Sequence, residues 1–165
     1  MVAISRGDIV ELLNIFNDEY RLQEKHDPRQ GYLVQFDVKE NGIKASLHPH
    51  GGKRNGNELL SGISQVRDSC LFCPQKLAEN PLKITQSNTT DAVKSLSGQL
   101  LIVPKNHYSQ WFDAPIELQA DLLQEAIEIR KQYPESQSRP IELHCGSAAG
   151  QTVFHIHVRT NVYMK

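Results

Sequence analysis

The 165-residue chain carries no surplus of either charge, with 18 lysines and arginines against 19 aspartates and glutamates. A protein that works along a nucleic-acid backbone needs a basic excess, because its affinity comes from neutralised phosphates. Long nucleic acid is therefore not expected as a partner. A single nucleotide needs only a few local donors and is not excluded. The sequence also lacks any apolar run near membrane-spanning length. Its first residues, Met1 to Arg6, lack the apolar core of a secretion signal. No membrane partner and a cytoplasmic location are expected. Cysteine is scarce: there are three, two of them spaced as Cys70-x-x-Cys73. That spacing favours metal or redox chemistry over structural disulfides. The length suffices for one domain with a real core.

What is present centres on Gly150-Gln151-Thr152-Val153-Phe154-His155-Ile156-His157-Val158-Arg159-Thr160. Polar and apolar residues alternate there, and side chains at i, i+2 and i+4 share one face of a strand. The pattern predicts a strand with His155, His157 and Arg159 on one face and Phe154, Ile156 and Val158 pressed into a core. Three adjacent polar, cation-capable side chains are costly to hold together unless they bind something. A metal, an anion, or both are the guests that suit them. The preceding turn, Gly146-Ser147-Ala148-Ala149-Gly150, is small enough for backbone N–H groups to approach an anion closely.

Cys70-Leu71-Phe72-Cys73 can bring two thiolates to one tetrahedral zinc. A redox pair is the rival reading, although no βαβ pattern surrounds it. With no second Cys-x-x-Cys, a zinc ion would take its remaining ligands from elsewhere, histidines being the best source.

The other segments read as scaffold. Ile9, Leu12, Leu13, Phe16 and Tyr20 recur at helical spacing over Asp8 to Gln23, with Ser5 and Asp8 as a capping pair and Pro28 as the stop. Tyr32–Lys39 and Ile43–Leu47 flank Asn41-Gly42 as a hairpin. His48-Pro49-His50 opens a glycine-rich polar stretch; paired histidines can be catalytic or metal-binding, but the composition reads as an exposed loop. Glu79 to Ser95 shows weak periodicity, with Ser87 to Asp91 reading as a loop. Leu100 to Val103 reads as a buried central strand, followed by His107. Asp113 to Tyr133 is the clearest helix, with Asp113 as N-cap and Pro115 in its first turn. Its acids Glu117, Asp121, Glu125 and Glu128 read as a solvated face. Ile141 to Cys145 is a short strand, and Cys145 reads as a buried apolar residue.

The order of these pieces over roughly residues 65–160 resembles the histidine triad (HIT) superfamily. Gly150 to Val158 is similar to its signature, and Leu101 to His107 to the strand and histidine before its long helix. The zinc-containing branches related to galactose-1-phosphate uridylyltransferases and dinucleoside polyphosphate phosphorylases are the nearest in pattern. The resemblance implies an α+β fold: an antiparallel sheet with one long helix packed on it, here with an N-terminal helix and β-hairpin. It implies one domain over 1–165, with 65–165 as the HIT core and 1–64 as an extension.

The implied function is that of a hydrolase or nucleotidyltransferase acting on the α-phosphate of a nucleotide or dinucleotide. His157 is similar to the family's nucleophile. Gly150, Gln151 and Thr152 match positions that line the phosphate site. Cys70, Cys73, His107 and His155 match a closed structural zinc site. Family members often pair, so a homodimer is an expectation of the same kind.

Three departures bear on this. Arg159 stands where hydrolase branches have the third histidine, and arginine cannot act as a base, though it can bind phosphate. His144 stands where many members have a phosphate-contacting asparagine. Only a short tail follows Arg159, so C-terminal specificity elements are expected to be missing. The alternative reading is a zinc-stabilised nucleotide-binding or regulatory module with little or no catalysis.

Overall fold

A computed structural model describes residues 4–55, 72–73, 83–86, 89–95, 97–136, 139–153 and 155–163. Helix α1, Arg6–His26, begins where the Ser5 hydroxyl accepts the Asp8 N–H and ends at Asp27, ahead of Pro28. It buries Ile9, Leu13 and Phe16 along one stripe, the face that the apolar spacing predicts. The hairpin follows as β1, Arg29–Lys39, and β2, Gly42–Lys53. Its register pairs Lys39 with Gly42, so the turn is Glu40-Asn41, one residue earlier than Asn41-Gly42. Neither turn residue has positive φ, whereas Gly42 does.

Strand β2 also runs further than expected. His48 to Gly52 pair with β1 or lie within the strand and do not form a loop. Their polar composition fits an outer edge, and Pro49 is tolerated there because an edge strand leaves one row of N–H groups unused. A second correction concerns Lys83–Gln86 (β3) and Thr90–Lys94 (β4), which are strands. Thr90 to Val93 are buried, and pairing with the central strand β5, Gln99–Pro104, supplies what local periodicity lacked.

Helix α2, Ile116–Lys131, has Pro115 as its N-cap in place of Asp113, which instead closes a 3-10 turn over Trp111–Asp113. The Gln110 side chain accepts the Phe112 N–H and donates to Asp113. Strand β6 spans Ile141–Cys145, and β7 spans Val158–Tyr163.

The seven strands of the described residues form one antiparallel sheet in the order β2-β1-β6-β7-β5-β4-β3. Tyr32, Val34 and Phe36 of β1, Ile141, Leu143 and Cys145 of β6, and the buried stripes of both helices make one core. At least one α1 residue of that stripe, Leu13, is fully buried, and Leu13→Ala is expected to cost about 2–5 kcal/mol in unfolding free energy, read by denaturant titration. Alternation then leaves Gly31, Leu33 and Gln35 of β1, with Glu142 and His144 of β6, on the opposite face. Among the described residues, no helix is long and apolar enough to cross a membrane.

Candidate active site and metal centre

The two histidines expected inside a strand lie just before one. β7 starts only at Val158, and Ile156 bonds through its N–H to the Tyr108 carbonyl at 2.9 Å. The side chains explain why the sheet ladder is abandoned. His155 is wholly buried and donates from Nε2 to the Pro104 carbonyl at 2.7 Å. His157 turns back and donates from Nδ1 to the His155 carbonyl at 2.9 Å. Ile156 and Val158 are buried in the core as the alternation predicts; Phe154 lies outside the described residues.

With Nε2 of His155 committed, its Nδ1 is the acceptor nitrogen. That atom lies 3.2 Å from His107 Nδ1 and 3.6 Å from Cys73 Sγ, and the Cys73 to His107 separation is 3.3 Å. Ligand atoms around a tetrahedral zinc, at bonds of about 2.0–2.3 Å, are about 3.3–3.6 Å apart. The cluster can therefore hold a metal ion. Burial pushes the His155 imidazole down to about 4, and its neighbours His107 and His157 push the same way. It is thus held in the neutral form that ligates. Three of the four expected ligands come together; Cys70 lies outside the described residues. The Tyr108–Ile156 bond brings the two segments carrying His107 and His155 alongside each other.

On the other side of His155 stands His157, half-buried, with Nδ1–H fixed on the backbone and Nε2 as its acceptor nitrogen. Burial lowers its pKa, with Arg159 and His144 adding to the effect, against the bond to His155. The Phe72 ring packs 5.2 Å from the His157 ring and 6.1 Å from that of His155. Phe72 thus packs against a residue of the metal cluster and against His157, a role its place inside Cys-x-x-Cys did not announce.

Arg159 and His144 form a relay. The Arg159 guanidinium donates to His144 Nε2 at 3.0 Å, and His144 donates from Nδ1 to the Ala149 carbonyl. His144 therefore ties the third triad position to the small-residue turn. That turn is a 3-10 turn over Ser147–Ala149 between Gly146 at φ +87 and Gly150 at φ +97. Glycine is needed at Gly150 for a second reason, since a Cβ there would sit 3.2 Å from His144 Nδ1.

Much of the turn's hydrogen bonding points inward. The N–H groups of Ala149 and Gln151 bond to the Gly146 carbonyl, and that of Gly150 to Ser147. Gln151 was expected to line the ligand site, but it is buried. Its carbonyl accepts the Gly146 N–H at 2.8 Å and its amide donates to Ser109 and Val153. It therefore staples the turn from beneath. Thr152 is exposed beside it.

Gly31 was not singled out by any sequence signal. A Cβ there would meet the Ala149 nitrogen at 2.8 Å and the Cys145 carbonyl at 3.0 Å. The small-residue turn thus rests on the bare backbone of β1. Gly31→Ala is expected to displace the turn and cost about 1–3 kcal/mol, a typical penalty for overpacking. Thermal unfolding and nucleotide titration of the variant would check both effects.

An antiparallel sheet backed by helices α1 and α2, with a Cys/His/His cluster beside a histidine–arginine site, defines an α+β protein built around a histidine-bearing segment. The HIT domain family matches residues 75–159, just over half of the chain, and the chain belongs to that family. Among solved structures it is similar to a zinc-bound histidine triad family protein from Mycobacterium smegmatis, at 28% identity over 57% of this chain and 74% of that one, TM-score 0.49. It is also similar to a HIT family hydrolase from Legionella pneumophila, at 27% identity over 55% and 89%, TM-score 0.49. A histidine triad nucleotide-binding protein from Candida albicans follows at 23% identity over 55% and 72%, TM-score 0.48. No curated protein sequence matches the chain.

Proposed function

We propose that the protein transfers a nucleotidyl group from the α-phosphate of a nucleotide through His157. The observation that carries this is the bond from His157 Nδ1–H to the His155 carbonyl, which fixes the tautomer and leaves Nε2 as a nucleophile. In this reading Nε2 attacks the α-phosphorus, the P–O bond to the leaving group breaks, and the leaving group departs with the electron pair. Water, phosphate or a sugar phosphate then cleaves the N–P bond. With water, the products are the nucleoside monophosphate and a proton released to solvent. Arg159, beside His157 and tied to His144, would stabilise the charge that gathers on the phosphoryl oxygens. Gly150 and Thr152 would border the same phosphate, and His144 would hold Arg159 and the turn in place.

The Arg159 guanidinium keeps its protons at working pH and does not act as the acid for a departing amine. Substrates whose leaving group is stable as an anion, such as polyphosphates, are therefore expected to react faster than phosphoramidates. Arg159→Gln is expected to slow transfer by about 10²–10³-fold, the usual loss for one oxyanion donor, as single-turnover kinetics would read.

For the metal cluster the reading is zinc, held by Cys73, His107 and His155 with Cys70 as the fourth ligand. A closed set of two thiolates and two imidazoles leaves no position for a reacting water. Its contribution when bound is to fix the segment that presents His157.

The test is intact-mass spectrometry after brief mixing with ATP, diadenosine polyphosphates, adenosine phosphoramidate and nucleotide sugars. An adduct of one nucleoside monophosphate is expected. Tight nucleotide binding without adduct or turnover would instead identify a regulatory nucleotide-binding module, the reading that Arg159 favours.

A further inference from the structure

His48 and His50 stand apart from everything above, yet the register places them on the face that carries His144. Leu33 of β1 pairs with His144 on one side and with His48 on the other. Directly paired residues of antiparallel strands project to the same face. His144, Leu33 and His48 therefore form one row across three strands. His50 pairs with Gly31, the residue on which the small turn rests, and shares the face of His48 two residues away. The neighbouring Gly51 touches the same turn: a Cβ on it would meet that of Ala148 at 3.0 Å. Both imidazoles are exposed on the outer strand.

We propose that His48 and His50 form a subsite for the distal phosphates of the nucleotide substrate, the part that leaves when His157 takes the α-phosphate. The proposal rests on the reading of His157 given above. Strands lie about 4.8 Å apart, so β2 stands about 14 Å from β7 along the sheet in the order β2-β1-β6-β7. In this proposal the phosphate chain runs across that row, from His157 toward β2. Leu33 is half-buried, and His144, both of whose ring nitrogens are engaged by Ala149 and Arg159, leaves the phosphate contacts to Arg159 at one end and the two outer-strand histidines at the other. Glu142, a carboxylate on the same face, already accepts from Gln35 at 2.9 Å and Asn161 at 3.1 Å. An imidazole donates to a phosphate oxygen whether neutral or protonated. The N-terminal hairpin thus extends the reaction face and does more than shield the core.

The experiment compares calorimetric binding of AMP and ATP to the full chain with metal bound, in a His157→Ala background that prevents turnover. The readout is the gain in affinity from AMP to ATP. His48→Ala/His50→Ala is expected to shrink that gain by about ten- to a hundredfold, the factor that hydrogen bonds to a charged group carry. His48→Lys/His50→Lys is expected to restore much of it. An equal gain in the alanine variant and its parent would overturn the proposal. If neither nucleotide binds, the α-phosphate reading fails by itself. Titration of inorganic tripolyphosphate, followed on the imidazole NMR signals, then decides the subsite alone: shifts of His48 and His50 support it, and unmoved signals overturn it.

Discussion

In a His157→Ala variant, nucleotidyl transfer is expected to fall by about 10³–10⁶-fold, the range seen when a covalent nucleophile is removed. The mass adduct should vanish with it. The argument is local. His157 is the described histidine whose Nδ1–H is held by the carbonyl two residues earlier, and it sits between the buried His155 and the Arg159–His144 relay. Burial and the two neighbouring cation-capable groups lower its pKa below the ordinary histidine value. The neutral, attacking form should therefore persist to lower pH than for a free imidazole. Alanine removes the bond to the His155 carbonyl but keeps the His155 ring bonded to Pro104 and the Ile156 N–H bonded to Tyr108. Metal content and thermal stability should then change little. An adduct of undiminished yield in this variant would remove His157 as the nucleophile.

The second large effect is expected at the metal centre. Cys73→Ser should abolish bound zinc, counted by native mass spectrometry, and lower the melting temperature. Serine keeps the size but replaces a thiolate by a poor ligand, which leaves Nδ1 of His155 facing Nδ1 of His107 across 3.2 Å. An ion bound by the folded state alone contributes its binding free energy to folding, so losing it destabilises the segment that its ligands hold together. A destabilisation of about 3 kcal/mol, at the low end for a lost buried partner, corresponds to about 6–12 °C for a chain of this size. Stripping wild type with a chelator should reproduce the shift, and zinc should reverse it. Retention of one zinc per chain by Cys73→Ser would refute the ligand assignment.

How much of this could be read from the residues varies with the range of the signal. Helices α1 and α2 are legible from their apolar spacing, and β5 and β6 from compact apolar runs, because burial on one face leaves a short-range periodic trace. The histidine segment is legible as chemistry but not as geometry. Alternation from Val153 to Thr160 reads as a continuous strand, while the chain leaves the sheet before Val158. Side-chain bonds of His155 and His157 to backbone carbonyls outweigh a ladder, and no pattern of residue types encodes them. Strands β3 and β4 are hidden for the opposite reason. Their residues are polar and their runs short, and only pairing beside β5 makes them strands.

The sequence by itself determined the ingredients: a knuckle of two cysteines, histidines at 107, 155 and 157, a small-residue turn, and two amphipathic helices. Those are set by side-chain chemistry and nearest-neighbour spacing. Tertiary structure alone decided which of them meet. It brought Cys73 across 82 residues to His155 and turned Gln151 inward beneath the turn. It seated that turn on Gly31 and aligned His48 with His144 through Leu33. Each of these is a contact between distant segments whose closeness depends on strand order and register, and strand register is fixed by burying one face of the whole sheet at once.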